Sequence, residues 1–180
     1  MEKKYNLKYS IIGFFAISLL GIVLHFTYDF FGRNILVAPF SSVNSSVWEY
    51  MKIAVMPMFF WTIFEFCEMM YRPNNLWSSL LVKIITVMSV IIISHYTYSD
   101  INGKHVLFVD IVIFIFAIAI SQVLGYKVAI SEKKNKNIEE IYKYITIIIF
   151  LIFVIFTFIP PHFEIFKDKV KETYGVFEIK

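Results

Sequence analysis

The side chains best suited to chemistry in this sequence are histidines and carboxylates that fall at one predicted face of a membrane. All four histidines lie at the ends of apolar stretches that meet this face: His25, His95, His105 and His162. Three carboxylates accompany them: Asp29, Glu49 and Asp110. Imidazole and carboxylate groups held close together can bind a metal ion or transfer protons. The sequence therefore predicts that any chemistry lies at this polar end of the protein.

His25 and Asp29 are four residues apart, so they share one face of a helix. A carboxylate that accepts from one imidazole nitrogen fixes the tautomer and leaves the other nitrogen free to act as a ligand or a base. Zinc and similar ions take three or four protein ligands. We therefore predict a site for zinc or another divalent metal with four ligands: His25, His95, His162 and Asp29. The alternative is an interfacial histidine with a purely structural hydrogen bond.

Three further charged residues are predicted to be catalytic: Glu49, Lys52 and Asp110. Ionisable side chains inside a membrane span are costly, and they usually face a bundle interior or a wet cavity. Glu49 also suits the early turns of a helix capped by Asn44 or Ser45, and it can pair with Lys52 three residues later. A structural role for this pair is therefore equally open. His105, in a loop beside Lys104, is predicted to be solvated.

The elements that must position these residues are apolar. Of the 180 residues, 58% are hydrophobic and 17% are charged, and the mean hydropathy is +0.68. Ordinary soluble domains contain about 25% charged residues. We therefore predict a polytopic membrane protein surrounded by lipid. The net charge of +3 is too small to suggest a nucleic-acid partner, and the single cysteine excludes an intramolecular disulfide.

The predicted fold class is all-α, with residues 1–180 forming one integral membrane domain of about five transmembrane helices. The predicted spans are residues 9–28, 47–70, 76–98, 106–130 and 138–159, because each is long and apolar enough to cross a bilayer. The first resembles a signal peptide, but no small-x-small cleavage site follows it, so we expect a retained helix. The second is interrupted by Pro57, and alone it could be re-entrant.

Charge distribution predicts the topology. Lysines beside membrane spans favour the cytoplasmic side. They precede the first span, and they cluster again around the link between the fourth and fifth spans. Both groups can be cytoplasmic only if an even number of crossings separates them, so the second stretch must span. The N-terminus is then inside and the C-terminus outside. The extracytoplasmic tail, residues 160–180, either lies along the interface or folds back over the helix ends.

Two segments resemble a family of uncharacterised bacterial integral membrane proteins. They are HFTYDFFGRN followed by PFSSVNSSVWEYMK, from His25 to Lys52, and PPHFEIFKD with a later Tyr174-Gly175. The family pattern carries Trp, Glu and His where this chain has Phe30, Ser45 and Tyr50. The resemblance implies a multi-pass protein of the bacterial cytoplasmic membrane and supplies no activity. It also implies that these residues belong to the family's pattern: His25, Asn44, Trp48, Glu49, Lys52 and His162.

Three functions stay open, because the sequence contains no HExxH, GxSxG, P-loop, GxGxxG or CxxC motif. The first is a metal-binding protein or membrane enzyme with an outward-facing His/carboxylate site. The second is a transporter or channel, which could be a homo-oligomer because five helices are few for a monomeric carrier. Its predicted path is lined by Lys52, Glu65, Lys83, Asp110, Ser121 and Gln122. The third is a structural or accessory subunit.

Overall fold

The computed structural model describes residues 7–68, 73, 75–102, 107–132, 135–168 and 171–177, and its regular structure is helical. Five long helices follow one another: α1 (Leu7–Phe30), α2 (Val47–Glu68), α3 (Leu76–Asn102), α4 (Leu107–Ala129) and α5 (Lys136–Phe158). A short 3-10 helix follows at Glu164–Phe166. All five are long and apolar enough to cross a membrane, which confirms the predicted all-α, five-span fold. His105 lies outside the described residues.

α2 is the central helix of the bundle. Its most apolar window is 61% buried by the rest of the protein, against 17% for that of α5. Pro57 lies inside it without ending it. The surrounding helices bury most of α2, including the charged side chains of Lys52 and Glu65. The second apolar stretch is therefore one continuous helix.

Successive helices run in opposite directions between two ends of the bundle. At one end, Tyr9 of α1 packs against Ala129 of α4. At the same end the Asn75 amide, just before α3, donates to the carbonyls of Val128 and Ser131 at 3.2 and 2.8 Å. We call this the lysine end, after three residues beside it: Lys8, Lys127 and Lys136. The helix ends that carry the two lysine groups thus lie together, as an even number of crossings requires.

Glu139 of α5 closes the lysine end by capping α3. Its carboxylate accepts from the backbone amides of Trp77 (2.9 Å) and Ser78 (3.2 Å), and also from the Ser78 hydroxyl. The first amides of a helix have no partner within the helix and carry partial positive charge, so an acceptor from another element satisfies them. The beginnings of α3 and α5 are therefore tied to each other.

The C-terminal tail packs over the other end of the bundle, which we call the tail end. Asp168 accepts from the Ser45 amide at 3.1 Å, which ties the tail to the α1–α2 link. Phe166 packs on Trp48 with ring centroids 4.6 Å apart. Gly175 lies so close to α5 that a Cβ would be 2.9 Å from the Thr157 carbonyl oxygen. Of the two predicted arrangements of the tail, folding back over the helix ends is the one observed.

Candidate functional site

Two small adjoining cavities lie in the half of the bundle nearer the tail end. The first has a volume of about 40 Å³ and the second about 20 Å³. Tyr50, Asp110 and Phe114 line both cavities, while His25 lines the first and His95 the second. A volume of 10 to 15 Å³ on this measure holds about one water molecule, so the pair has room for a few waters or a small polar group. Four titratable side chains from α1, α2, α3 and α4 therefore converge here.

Close helix packing at Gly21 builds the first cavity. A Cβ at this position would lie 2.4 Å from Cζ of Phe114 and 2.8 Å from the carbonyl oxygen of Ile53. Because glycine has no side chain, α1 can approach both α2 and α4 closely at this level, and no larger residue would fit. His25 lies one turn further along the same face, and its ring stacks on Tyr50 with centroids 5.9 Å apart. The small residue thus brings the imidazole and the phenol together.

The chemistry of the cluster follows from its groups. His25 Nδ1 is buried and has no hydrogen-bond partner among the described residues. Asp110 is half-buried, and His95 is buried in the wall of the second cavity. A buried imidazole nitrogen that lacks a partner costs free energy unless water or a ligand satisfies it. Imidazole, phenol and carboxylate are the groups that proteins use for proton transfer, so the arrangement suits acid–base chemistry.

The first cavity faces the lipid side of the bundle as well as its interior. Three of its lining residues are exposed apolar side chains on α1 and α4: Ile22, Phe26 and Ile111. In a membrane such surfaces contact acyl chains. His25 and Asp110 therefore lie behind an apolar rim between α1 and α4, where a molecule dissolved in the bilayer could reach them.

Glu49 and Lys52 form a separate, closed cluster at the tail end. Lys52 Nζ lies 2.7 Å from Oε2 of Glu49, and it donates to the Ala38 carbonyl (3.0 Å) and the Thr157 hydroxyl (2.9 Å). An ammonium has three N–H groups, so all of them are used. Glu49 also accepts from the Val43 amide at 2.9 Å. We call these residues the tail-end knot, because they join the α1–α2 link, α2 and α5.

The start of α2 explains why Glu49 points into this knot. The Glu49 amide donates to the Ser46 hydroxyl at 3.3 Å, so the side chain that caps α2 is that of Ser46 and not, as the sequence predicts, that of Asn44 or Ser45. The sequence S-x-x-E is that of a capping box, in which the glutamate turns back toward the residues before the helix. Here it turns further back, to the Val43 amide. The two predicted catalytic residues are therefore held in structural contacts.

The remaining predicted ligands lie at the surface. Asp29 pairs with Arg33 at 3.1 Å, and these side chains are 74% and 49% exposed. His162 is exposed, and its ring lies against Tyr174 with centroids 4.7 Å apart. Within the described part of the chain, no three His, Cys, Asp or Glu side chains lie close enough to hold a metal ion. Of the four predicted ligands, the structure brings only His25 and His95 to the two cavities.

Tyr50 is the site residue that sequence reasoning missed. A tyrosine near the end of a span is typical of an aromatic belt, so its type gave no indication of a site. Its position along the helix was more informative than its type. Because Tyr50 follows Glu49 directly, the two side chains face different sides of α2 and have different neighbours.

A second group of buried polar residues lies toward the lysine end. Glu65 and Lys83 interact across α2 and α3, and both are buried. Trp61 Nε1 donates to Oε1 of Glu65 at 2.9 Å. Ser121 and Gln122 of α4 are buried as well. An interaction between opposite charges on α2 and α3 thus lies in this half, and buried polar residues occupy both halves of the bundle.

Comparison with known proteins identifies a family. A family model described as "Family of unknown function (DUF6512)" matches residues 1–176. The search of curated proteins and the search of solved structures find no match to this chain.

Proposed function

The chain belongs to the DUF6512 family, whose function is unknown, and we propose that it is a multi-pass protein of the bacterial cytoplasmic membrane with an intramembrane acid–base site. The four residues of this site are His25, Tyr50, His95 and Asp110. We further propose that the site acts on a small or amphipathic molecule that enters from the bilayer between α1 and α4.

One observation carries this proposal. Tyr50 and Asp110 line both cavities, with His25 on one side and His95 on the other. Ionisable groups in a membrane interior are expensive to keep, and four of them around a shared space are better explained by proton exchange than by packing. In this proposal the imidazole of His25 accepts or donates a proton through Nδ1, and Asp110 supplies a second proton-transfer group. The phenol of Tyr50 orients the bound molecule.

The tail end is proposed to face away from the cytoplasm. The lysines beside the opposite end support this orientation through the positive-inside rule. Of the four predicted metal ligands, this proposal keeps only His25 and His95, and it assigns them proton transfer instead of metal binding. Elemental analysis of the purified protein tests metal binding separately.

An unbiased conversion assay tests the proposal. Purified protein in proteoliposomes is incubated with a bacterial lipid and metabolite extract, and mass spectrometry compares the species before and after. We expect at least one species to be converted by the wild type and by Glu172→Gln, whose carboxylate is exposed on the tail and lines neither cavity. Conversion should be lost in Asp110→Asn and His25→Gln. No conversion by the wild type, or equal conversion by all four proteins, would refute the enzymatic function.

The buried residues near the lysine end support a second candidate, transport of protons or small ions. Glu65 and Lys83 lie in the half of the bundle opposite Asp110, so charged groups occupy both halves. A pH-sensitive dye inside proteoliposomes would measure proton flux. Flux that falls in both Asp110→Asn and Glu65→Gln favours transport. Conversion of a substrate without flux favours the enzyme.

A further inference from the structure

A groove between α1 and α4 near the lysine end contains buried polar atoms that no described residue satisfies. Its volume is about 620 Å³, within the range of about 300 to 1,000 Å³ that small-molecule sites occupy. Its walls are mainly apolar: Leu7, Ile11, Phe14, Phe15, Ala119, Val123 and Ile130. Several of these side chains are exposed on the lipid-facing surface, so the groove is open to the bilayer along its length.

Gln122 and Ser10 supply the polar part of the lining. Gln122 is 3% exposed, and neither its amide nitrogen nor its amide oxygen has a hydrogen-bond partner among the described residues. The Ser10 hydroxyl, on the opposite wall, is also buried without a partner in that part of the chain. An unsatisfied buried amide costs a few kcal/mol, about 1 to 3. The hydrocarbon region of a bilayer offers no water to reduce this cost. The groove therefore fits a molecule that has both a donor or acceptor group and an apolar body.

Lys127 adds a positive charge at the mouth of the same groove. It follows Gln122 by five residues, which places it about 7.5 Å nearer the lysine end of α4. Lysines at helix ends extend toward the headgroup region, and they attract anionic lipid. From the bilayer interior outward, the groove thus presents an apolar wall, an amide with a hydroxyl, and an ammonium.

We propose that this groove binds an anionic glycerolipid. The acyl chain lies against Phe14 and Val123. A glycerol hydroxyl or ester oxygen bonds with Gln122 and Ser10, and the phosphate pairs with Lys127. A second copy of the chain would fill the concave groove less well than a flexible acyl chain, and it would not explain the lysine at the mouth. The proposal is independent of the acid–base site, which lies in the other half of the bundle.

Lipid binding to the delipidated full-length protein in detergent tests this assignment. Native mass spectrometry would compare phosphatidylglycerol with phosphatidylcholine, which has the same acyl chains and no net charge. We expect selective retention of phosphatidylglycerol by the wild type. Gln122→Leu and Ser10→Ala should each weaken it about threefold to tenfold, the effect of one lost hydrogen bond. Lys127→Gln should remove the preference over phosphatidylcholine. Lys136→Gln, a lysine at the same end but outside the groove lining, should leave it unchanged.

Two results would overturn the proposal. Equal retention of both lipids by the wild type and all variants would mean that lipid only surrounds the protein. A shift from dimer to monomer in Gln122→Leu, without loss of phosphatidylglycerol, would make the groove an interface between two copies. Lys127→Gln changes only an exposed side chain, so the test remains decisive if Gln122→Leu fails to fold.

Discussion

Replacement of Lys52 by methionine tests whether the tail-end knot is structural. The side chain is fully buried, and its ammonium makes three contacts of 2.7 to 3.0 Å. Lys52→Met keeps an apolar stem of about the same length, but it removes the ammonium and with it every one of these contacts. Glu49 is then left buried with the Val43 amide and no positive charge. Breaking a buried pair on one side typically costs about 3 to 5 kcal/mol.

A double-mutant cycle gives the sharpest measurement. Unfolding in mixed micelles of increasing SDS content would be followed for the wild type, Lys52→Met, Glu49→Gln and the double variant. We expect each single variant to lose about 3 to 5 kcal/mol. The double variant should lose less than the sum by about 1 to 3 kcal/mol, because it leaves no unpaired charge. The matched control is Asp29→Asn, which breaks the exposed pair with Arg33 and should cost at most about 1 kcal/mol.

The result that would refute this reasoning is also clear. If Lys52→Met unfolds within about 1 kcal/mol of the wild type, the three contacts do not stabilise the bundle. If it keeps its stability and loses substrate conversion, Lys52 takes part in chemistry, as its sequence position first suggested.

Two further predictions concern the tail and the topology. Gly175→Ala should release the tail at a cost of about 1 to 3 kcal/mol, because Gly175 has φ +56° and a Cβ would meet Pro160 and Thr157 at 2.9 Å. Faster proteolysis at Lys171 would report this release. The control is Gly32→Ala, because Gly32 has φ +62° and open space around it, so this variant should lose only the free energy of the backbone strain. Cysteine labelling tests the topology in a Cys67→Ser background. A membrane-impermeant maleimide should label Lys171→Cys in spheroplasts, and it should label Lys136→Cys only after lysis. The reverse pattern would contradict the predicted orientation.

The helices were predictable because a bilayer imposes length and composition on each span. The Pro57 stretch shows how far this reasoning extends. Its local pattern was ambiguous, but the lysine count required it to span, and the structure has it as the most buried helix. The Glu49–Lys52 pair was also predictable, because three residues along a helix place two side chains on one face.

The composition of the site was harder to predict, because it depends on which helix faces meet. Tyr50 and Glu49 are neighbours in sequence, yet one lines the cavities and the other enters the tail-end knot. Asp29 shares a face with His25 by spacing, but it pairs with Arg33 instead. Residue type and position along the bilayer were thus enough to select the polar end. Which side chains become partners depends also on the close packing of α1, α2 and α4 at Gly21.

The same packing makes the tail-end knot and the site interdependent. Tyr50 lies on α2 between Glu49 and Lys52, and the Leu24 carbonyl, just before His25, accepts from the Ser42 amide of the linked segment. A variant that loosens the tail-end knot will therefore move both rings that stack in the first cavity. Loss of activity in such a variant does not show that the changed residue touches substrate. A catalytic role is established only when activity falls while the free energy of unfolding stays at the wild-type value. We expect that combination for Asp110→Asn and not for Lys52→Met.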